Sequence, residues 1–245
     1  MWHAIQWIRS LFFIVQMYIA LPIVGFGMAP FVFLKPDLAF GVIRFYCNYV
    51  RWTASWMVGM KTEIRGDVPE GPVVVASKHQ SFLDILLLSS ALPRIKFIFK
   101  DELRFVPVIS LYARFTNSIP VKRGKRGAAI KKMVSDVKSG EQAGGQLIIF
   151  PQGTRVAPGV KQPYKVGTYV LYEQTGQAVV PVATNVGVFW KRHGIMRYPG
   201  IAVLEFLDPI EQGQDQHGFM AKMEEAVETH SNRLMREAGL AEIEE

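Results

Sequence analysis

The stretch SKHQSFLDILLL, residues 77–88, closes one apolar run and opens another, with a histidine and an aspartate five residues apart between them. The run before it, GPVVVAS (71–77), is rich in β-branched residues and begins at a Gly-Pro pair, which predicts a strand. Ser81-Phe82-Leu83-Asp84 fits the S-x-x-D capping box, in which serine and acid satisfy free N–H groups at a helix start. A buried helix over 82–92 should follow. A strand, a turn bearing His79 and a helix form the unit on which α/β folds place their reactive groups. Within this stretch alone, His79 is either incidental to a cap or one half of a pair with Asp84.

The same texture continues outward. IKFIFK (95–100), GQLIIFP (145–151), AVVPVATN (178–185) and GIAVLEFLD (200–208) read as strands, bounded by Gly, Pro or polar residues. An amphipathic helix is predicted over 128–138, where Ile130, Met133, Val134 and Val137 recur at helical spacing. Another is predicted from about 218 to 239, before the acidic end EIEE. Pro181 predicts an edge or bulge position for its strand, because proline cannot donate to a ladder. This alternation predicts one α/β domain over 61–245.

The N-terminus is different. Residues 11–34 carry no charge, with Gln16 the only strongly polar side chain, and this is long enough to span a bilayer. Pro22 and Pro30 are expected to interrupt it. The segment AFGVIRFYCNYVRWTASWMVGM (39–60) sets Arg44 and Arg51 two turns apart on one face. Phe45, Tyr46, Tyr49, Trp52 and Trp56 crowd around them, as in a helix lying at a lipid–water boundary. Residues 1–60 are thus expected to form a membrane-associated two-helix element, either spanning or re-entrant. A buried helical pair inside a soluble fold is the alternative.

Of the 245 residues 49% are hydrophobic, enough for a sizeable core. The net charge of +7 favours an anionic partner, and the single cysteine, Cys47, excludes a disulfide within the chain. No phosphate loop, dinucleotide fingerprint or nucleophile elbow is present. No metal site is expected, since the five histidines are scattered, and no nucleic-acid-binding module is recognisable. Two further segments suggest chemistry. NSIPVKRGKRG (117–127) gathers Lys122, Arg123, Lys125 and Arg126 in a glycine-bearing loop suited to phosphate. IFPQGTR (149–155) ends a strand in a turn carrying Gln152, Gly153, Thr154 and Arg155.

The order H-x4-D, I-P-V-K-R, F-P-x-G-T-R, V-P-V-A over residues 78–183 resembles the glycerophospholipid acyltransferase family, most closely its 1-acyl-sn-glycerol-3-phosphate acyltransferases. The resemblance implies a single mixed-sheet acyltransferase domain behind an N-terminal membrane element. It implies transfer of a fatty acyl group from acyl-CoA or acyl carrier protein to a lysophospholipid acceptor, giving phosphatidic acid. The acyl thioester would be a co-substrate, with no cofactor beyond it. His79 would be the general base, oriented by Asp84. Lys122, Arg123, Gln152, Gly153, Thr154 and Arg155 would bind the acceptor. The protein would be membrane-associated among lipids, with its catalytic domain on the cytoplasmic side.

Two positions depart from the family pattern. Gln152 stands where the family usually has glutamate, and Asn117 where it usually has glycine. Asparagine follows glycine into left-handed backbone most readily, so that change is mild. Gln152 motivates a rival acceptor, such as a lyso-aminolipid or another lysophospholipid. If glycerol phosphate is the acceptor, a glutamate restored at 152 is expected to be tolerated or beneficial. A membrane-anchored lipid-binding protein without catalysis is a further alternative, disfavoured by the intact His79 and Asp84.

Overall fold

The chain begins with two helices, α1 (Trp2–Leu34) and α2 (Leu38–Met57), in a computed structural model that describes residues 2–121, 127, 131, 134, 135 and 144–240. The helix expected over 128–138 falls largely outside these residues, as do Lys122, Arg123, Lys125 and Arg126. Pro22 and Pro30 do not interrupt α1, which runs through both. Phe13 and Met17 are buried before Pro22, and Gly25, Ala29 and Val32 after it, so packing holds the axis where proline removes a backbone hydrogen bond.

α1 buries a mixed face, with Gln6 and Ser10 beside Phe13 and Met17, and turns an apolar face outward. Its inner face includes Gln6, whose Nε2 donates to the carbonyls of Val58 (2.9 Å) and Arg197 (2.8 Å). Its outer face exposes Phe12, Ile23, Phe31 and Phe33, each more than half accessible. The helix is long and apolar enough to cross a membrane. In α2 the aromatics Phe45, Trp52 and Trp56 point outward. Arg44 and Arg51 share a face as expected, and that face packs on the protein. Arg44 donates to the carbonyls of Leu92 and Pro93, and Arg51 to Thr62 and Ser90. The carbonyls of Leu92 and Pro93 and the hydroxyls of Thr62 and Ser90 offer these guanidiniums partners that a membrane interior lacks.

β1 (Met60–Arg65), β2 (Val73–Ser77), α3 (Leu83–Ala91), β3 (Ile95–Lys100), α4 (Pro107–Phe115), β4 (Ile119–Val121) and β5 (Gln146–Ile149) follow. Then come α5 (Gly167–Thr175), β6 (Val179–Thr184), α6 (Val186–Phe189), β7 (Gly200–Phe206) and α7 (Gln216–Glu237). The strands form one seven-stranded sheet in the order β1-β7-β6-β2-β5-β3-β4. It is mixed, since β6 and β7 are antiparallel while the other neighbours are parallel. Phe13 and Met17 of α1 and Tyr46 and Val50 of α2 share one core with Val75, Leu87, Ile148 and Val182. α1 also lies close on α4: a Cβ at Gly25 would come within 2.5 Å of Val108 Cγ1.

Pro181 lies on an interior strand, not an edge, but at a bulge as expected: the register with the opposite segment slips by one residue between Val182–Phe206 and Val179–Ile210. β6 bonds β2 through residues of the other parity, with Val74 N donating to Ala178 O and Lys78 N to Val182 O. Pro181 faces β7, just beyond the last antiparallel pair, Val182 with Phe206. There its carbonyl accepts from Leu207 N at 3.0 Å. The missing N–H therefore falls where the ladder is broken by the bulge, before pairing resumes at Val179 and Ile210.

Candidate active site

β6, β2, β5, β3 and β4 run in one direction, so their C-terminal ends open along one edge of the sheet. β2 delivers His79 there, β5 the 150–155 turn, β6 the segment leading to Arg192, and β4 ends at Val121. This is where open α/β sheets bind ligands.

Asp84 Oδ2 lies 3.0 Å from His79 Nδ1 and accepts from the backbone N–H groups of Gln80 and Ser81, both at 2.7 Å. Asp84 is fully buried, whereas the His79 side chain keeps 14% of its surface. Half of the capping box forms as read: the acid reaches back to Ser81 N, and Ser81 Oγ accepts from Leu83 N (3.2 Å) one position early. The aspartate therefore caps the turn and orients the imidazole with the same oxygen. Because Asp84 can only accept, His79 Nδ1 carries the proton and Nε2 is left basic. The N–H groups of Gln80, Ser81 and Leu83 are engaged inside the turn.

The 150–155 turn closes against His79. Val156 N donates to His79 O at 2.8 Å, and the Phe150 ring stacks on the imidazole. Gly153 has φ +71°, the left-handed geometry this turn needs, and Gly153 N donates to Phe150 O at 2.8 Å. Thr154 is exposed and Gln152 buried. Asn117 has φ +52°, so it does take up the left-handed backbone ahead of β4.

Arg155 faces Arg192, which sequence reasoning missed. Arg155 Nη1 lies 3.5 Å from Arg192 O, and Arg192 Nη1 donates to Arg155 O at 3.2 Å. Partial burial, and then the Arg192 charge, lower the Arg155 pKa. No carboxylate pairs with either arginine among the described residues, so two guanidiniums meet at the mouth of the site with their charge available to an anion. Nothing in the local sequence of KRH, 191–193, marks it out, and only the fold brings Arg192 beside a turn 37 residues away. The structure thus joins His79, Asp84, Gln152, Gly153, Thr154 and Arg155 at one edge of the sheet. Lys122 and Arg123 are outside the described residues. No cluster of three His, Cys, Asp or Glu that could hold a metal occurs among the described residues.

Residues 60–185 match the acyltransferase family profile. The chain is 29% identical over 178 residues to a 1-acyl-sn-glycerol-3-phosphate acyltransferase of Pseudomonas aeruginosa, covering 72% of this chain and 69% of that protein. It is 26% identical over 190 residues to a lyso-ornithine lipid O-acyltransferase of Brucella abortus, covering 76% and 69%. Its fold matches the crystal structure of the 1-acyl-sn-glycerophosphate acyltransferase of Thermotoga maritima, with a TM-score of 0.77. That match has 21% identity and covers 93% of this chain and 97% of the other.

Proposed function

The chain belongs to the acyltransferase family, and from that premise we propose that it moves a fatty acyl group from an acyl thioester to the sn-2 hydroxyl of 1-acyl-glycerol-3-phosphate. The product is phosphatidic acid, and the donor is acyl-CoA or acyl carrier protein. The observation that carries this reading is the His79–Asp84 hydrogen bond, with Asp84 itself held by two backbone N–H groups. His79 Nε2 takes the proton of the acceptor hydroxyl as its oxygen attacks the thioester carbonyl. The C–S bond then breaks, and the leaving thiolate receives the proton back from the imidazolium. Transfer is direct, with no acyl-enzyme. Arg155 binds the acceptor phosphate, with Lys122 and Arg123, which follow β4 in the sequence, while Gln152, Gly153 and Thr154 shape the turn that holds it.

Membrane association through α1 and α2 is part of the proposal, with the sheet and its site on the cytoplasmic side. The apolar outer faces of both helices support it. A lipid acceptor and a lipid product make such an attachment physically useful. A second reading keeps the reaction but changes the acceptor to another lysolipid. Gln152 and the likeness to the lyso-ornithine lipid acyltransferase favour it. The test is thiol release by purified protein in vesicles, given an acyl thioester and a panel of lysolipids. Release with lysophosphatidic acid alone supports the first reading, release with a phosphate-free lysolipid alone the second, and release with none rejects both.

A further inference from the structure

Behind the 150–155 turn lies a buried polar cluster that joins this turn to the strand carrying His79 and to α7. Lys78, next to the base, is 1% exposed, and its Nζ forms an ion pair with Glu228 of α7. Glu228 Oε1 accepts from the Tyr164 hydroxyl at 2.7 Å. Gln152 Nε2 lies 3.5 Å from the same Oε1 and 3.3 Å from the carbonyl of Gln162. Gln152 is 1% exposed, and its Oε1 is buried without a hydrogen-bond partner. Glu228 therefore links the backbone carrying His79 to the turn carrying Arg155.

Both groups that face the Gln152 nitrogen, a carbonyl oxygen and a carboxylate oxygen, can only accept. An amide meets them with its N–H groups. A carboxylate would set oxygen against oxygen in a desolvated place, where like charges disfavour ionisation. We propose that Glu228 is a positioning residue for the whole site: it neutralises Lys78, braces both halves, and dictates an amide at position 152. Family resemblance suggested that glutamate would be tolerated there, and the geometry points the other way. This inference deepens the acyl-transfer reading and rests on it only for the activity measurement. Among the described residues, the titratable or charged groups linked to position 152 are Glu228 and, through it, Lys78 and Tyr164, with Glu224 acting on Tyr164 from one turn earlier on α7. Burial first, and then Glu228, keep the Tyr164 phenol far above its ordinary range, so it remains a donor.

The experiment compares the full-length wild type with Gln152→Glu, Glu228→Gln and the double exchange, by thermal unfolding and by thiol release. Gln152→Glu should lower Tm by roughly 5–10 °C at neutral pH and slow release about tenfold. A carboxyl whose folded pKa is raised costs stability above its unfolded pKa, so this deficit should shrink as the pH falls toward the ordinary carboxylate range. Glu228→Gln should also lose stability, since it leaves Lys78 buried without a counter-charge. The double exchange returns one amide and one carboxylate to the contact and should recover at least about half of the lost Tm and rate. A Gln152→Glu variant with wild-type Tm, or a double exchange no better than the worse single variant, overturns the proposal. Should Glu228→Gln fail to fold, Gln152→Met serves instead, keeping the shape without charge. It should cost less than Gln152→Glu, and an equal cost also overturns the proposal. Wild-type protein inactive on every lysolipid would reject the acyl-transfer reading while leaving these Tm comparisons decisive.

Discussion

The imidazole of His79 lies almost flat on the ring of Phe150, with centroids 3.9 Å apart and planes 17° from parallel. Asp84 fixes which nitrogen carries the proton, and Phe150 fixes the plane in which the other nitrogen points. A free imidazole can swing about its side-chain torsions, and a misplaced reacting group costs rate far more than it costs binding. Phe150→Ala should therefore lower kcat about tenfold with little change in either KM, while Phe150→Tyr should keep most of the rate. Steady-state kinetics with both substrates varied checks this, and an unchanged kcat in the alanine variant would make the stack incidental.

Replacement of the base itself should be more drastic. His79→Ala should slow thiol release by about a hundredfold or more, because a positioned general base supplies that much, while Tm moves little. Asp84→Asn should be milder in rate and harsher in stability. Oδ2 accepts from two backbone N–H groups and the imidazole, and hydrogen bonds to a charged group are worth about 1.5–3 kcal/mol each. A variant at position 79 that keeps more than about a tenth of the wild-type rate would remove the histidine from the chemistry.

The two arginines give an acceptor-specific prediction. Arg155→Ala and Arg192→Ala should each raise the acceptor KM about tenfold or more and leave the donor KM nearly unchanged. Lysine at position 155 should recover only part of the affinity, since a point charge lacks the planar fork of donors. With a phosphate-free lysolipid the same substitutions should have little effect. Equal losses on both kinds of acceptor would show that the pair does not read phosphate.

Membrane attachment should resist salt. Mobile ions screen exposed charges beyond about 8–10 Å near physiological ionic strength, so a protein held by charge alone is released. The full chain should stay with the membrane fraction in high salt and require detergent. Ile23→Glu together with Phe12→Glu, both on the outer face of α1, should shift it toward the soluble fraction without unfolding the sheet. Recovery of the unmodified chain as a detergent-free soluble monomer would refute the attachment.

Local pattern was enough to place the strands ending at Ser77 and Ile149, the buried helix after Ser81 and the last helix near its observed bounds. Those elements are dictated by side-chain periodicity and by caps, which act over a few residues and are written in consecutive letters. His79 and Asp84 were legible for the same reason, because one turn of chain joins them. Pro181 announced an edge or a bulge, and only the strand order decided for the bulge, because pairing partners lie far apart in the chain. Arg44 and Arg51 were correctly put on one helix face, but only packing decided that the face meets Leu92, Pro93, Thr62 and Ser90. Lys78 with Glu228, 150 residues apart, and Arg155 with Arg192 leave no trace in any short window. The requirement for an amide at position 152 likewise depends on Glu228 approaching from α7. Charge and hydrogen-bond complementarity is a property of distance, and only tertiary contact sets distance between residues that the chain keeps apart.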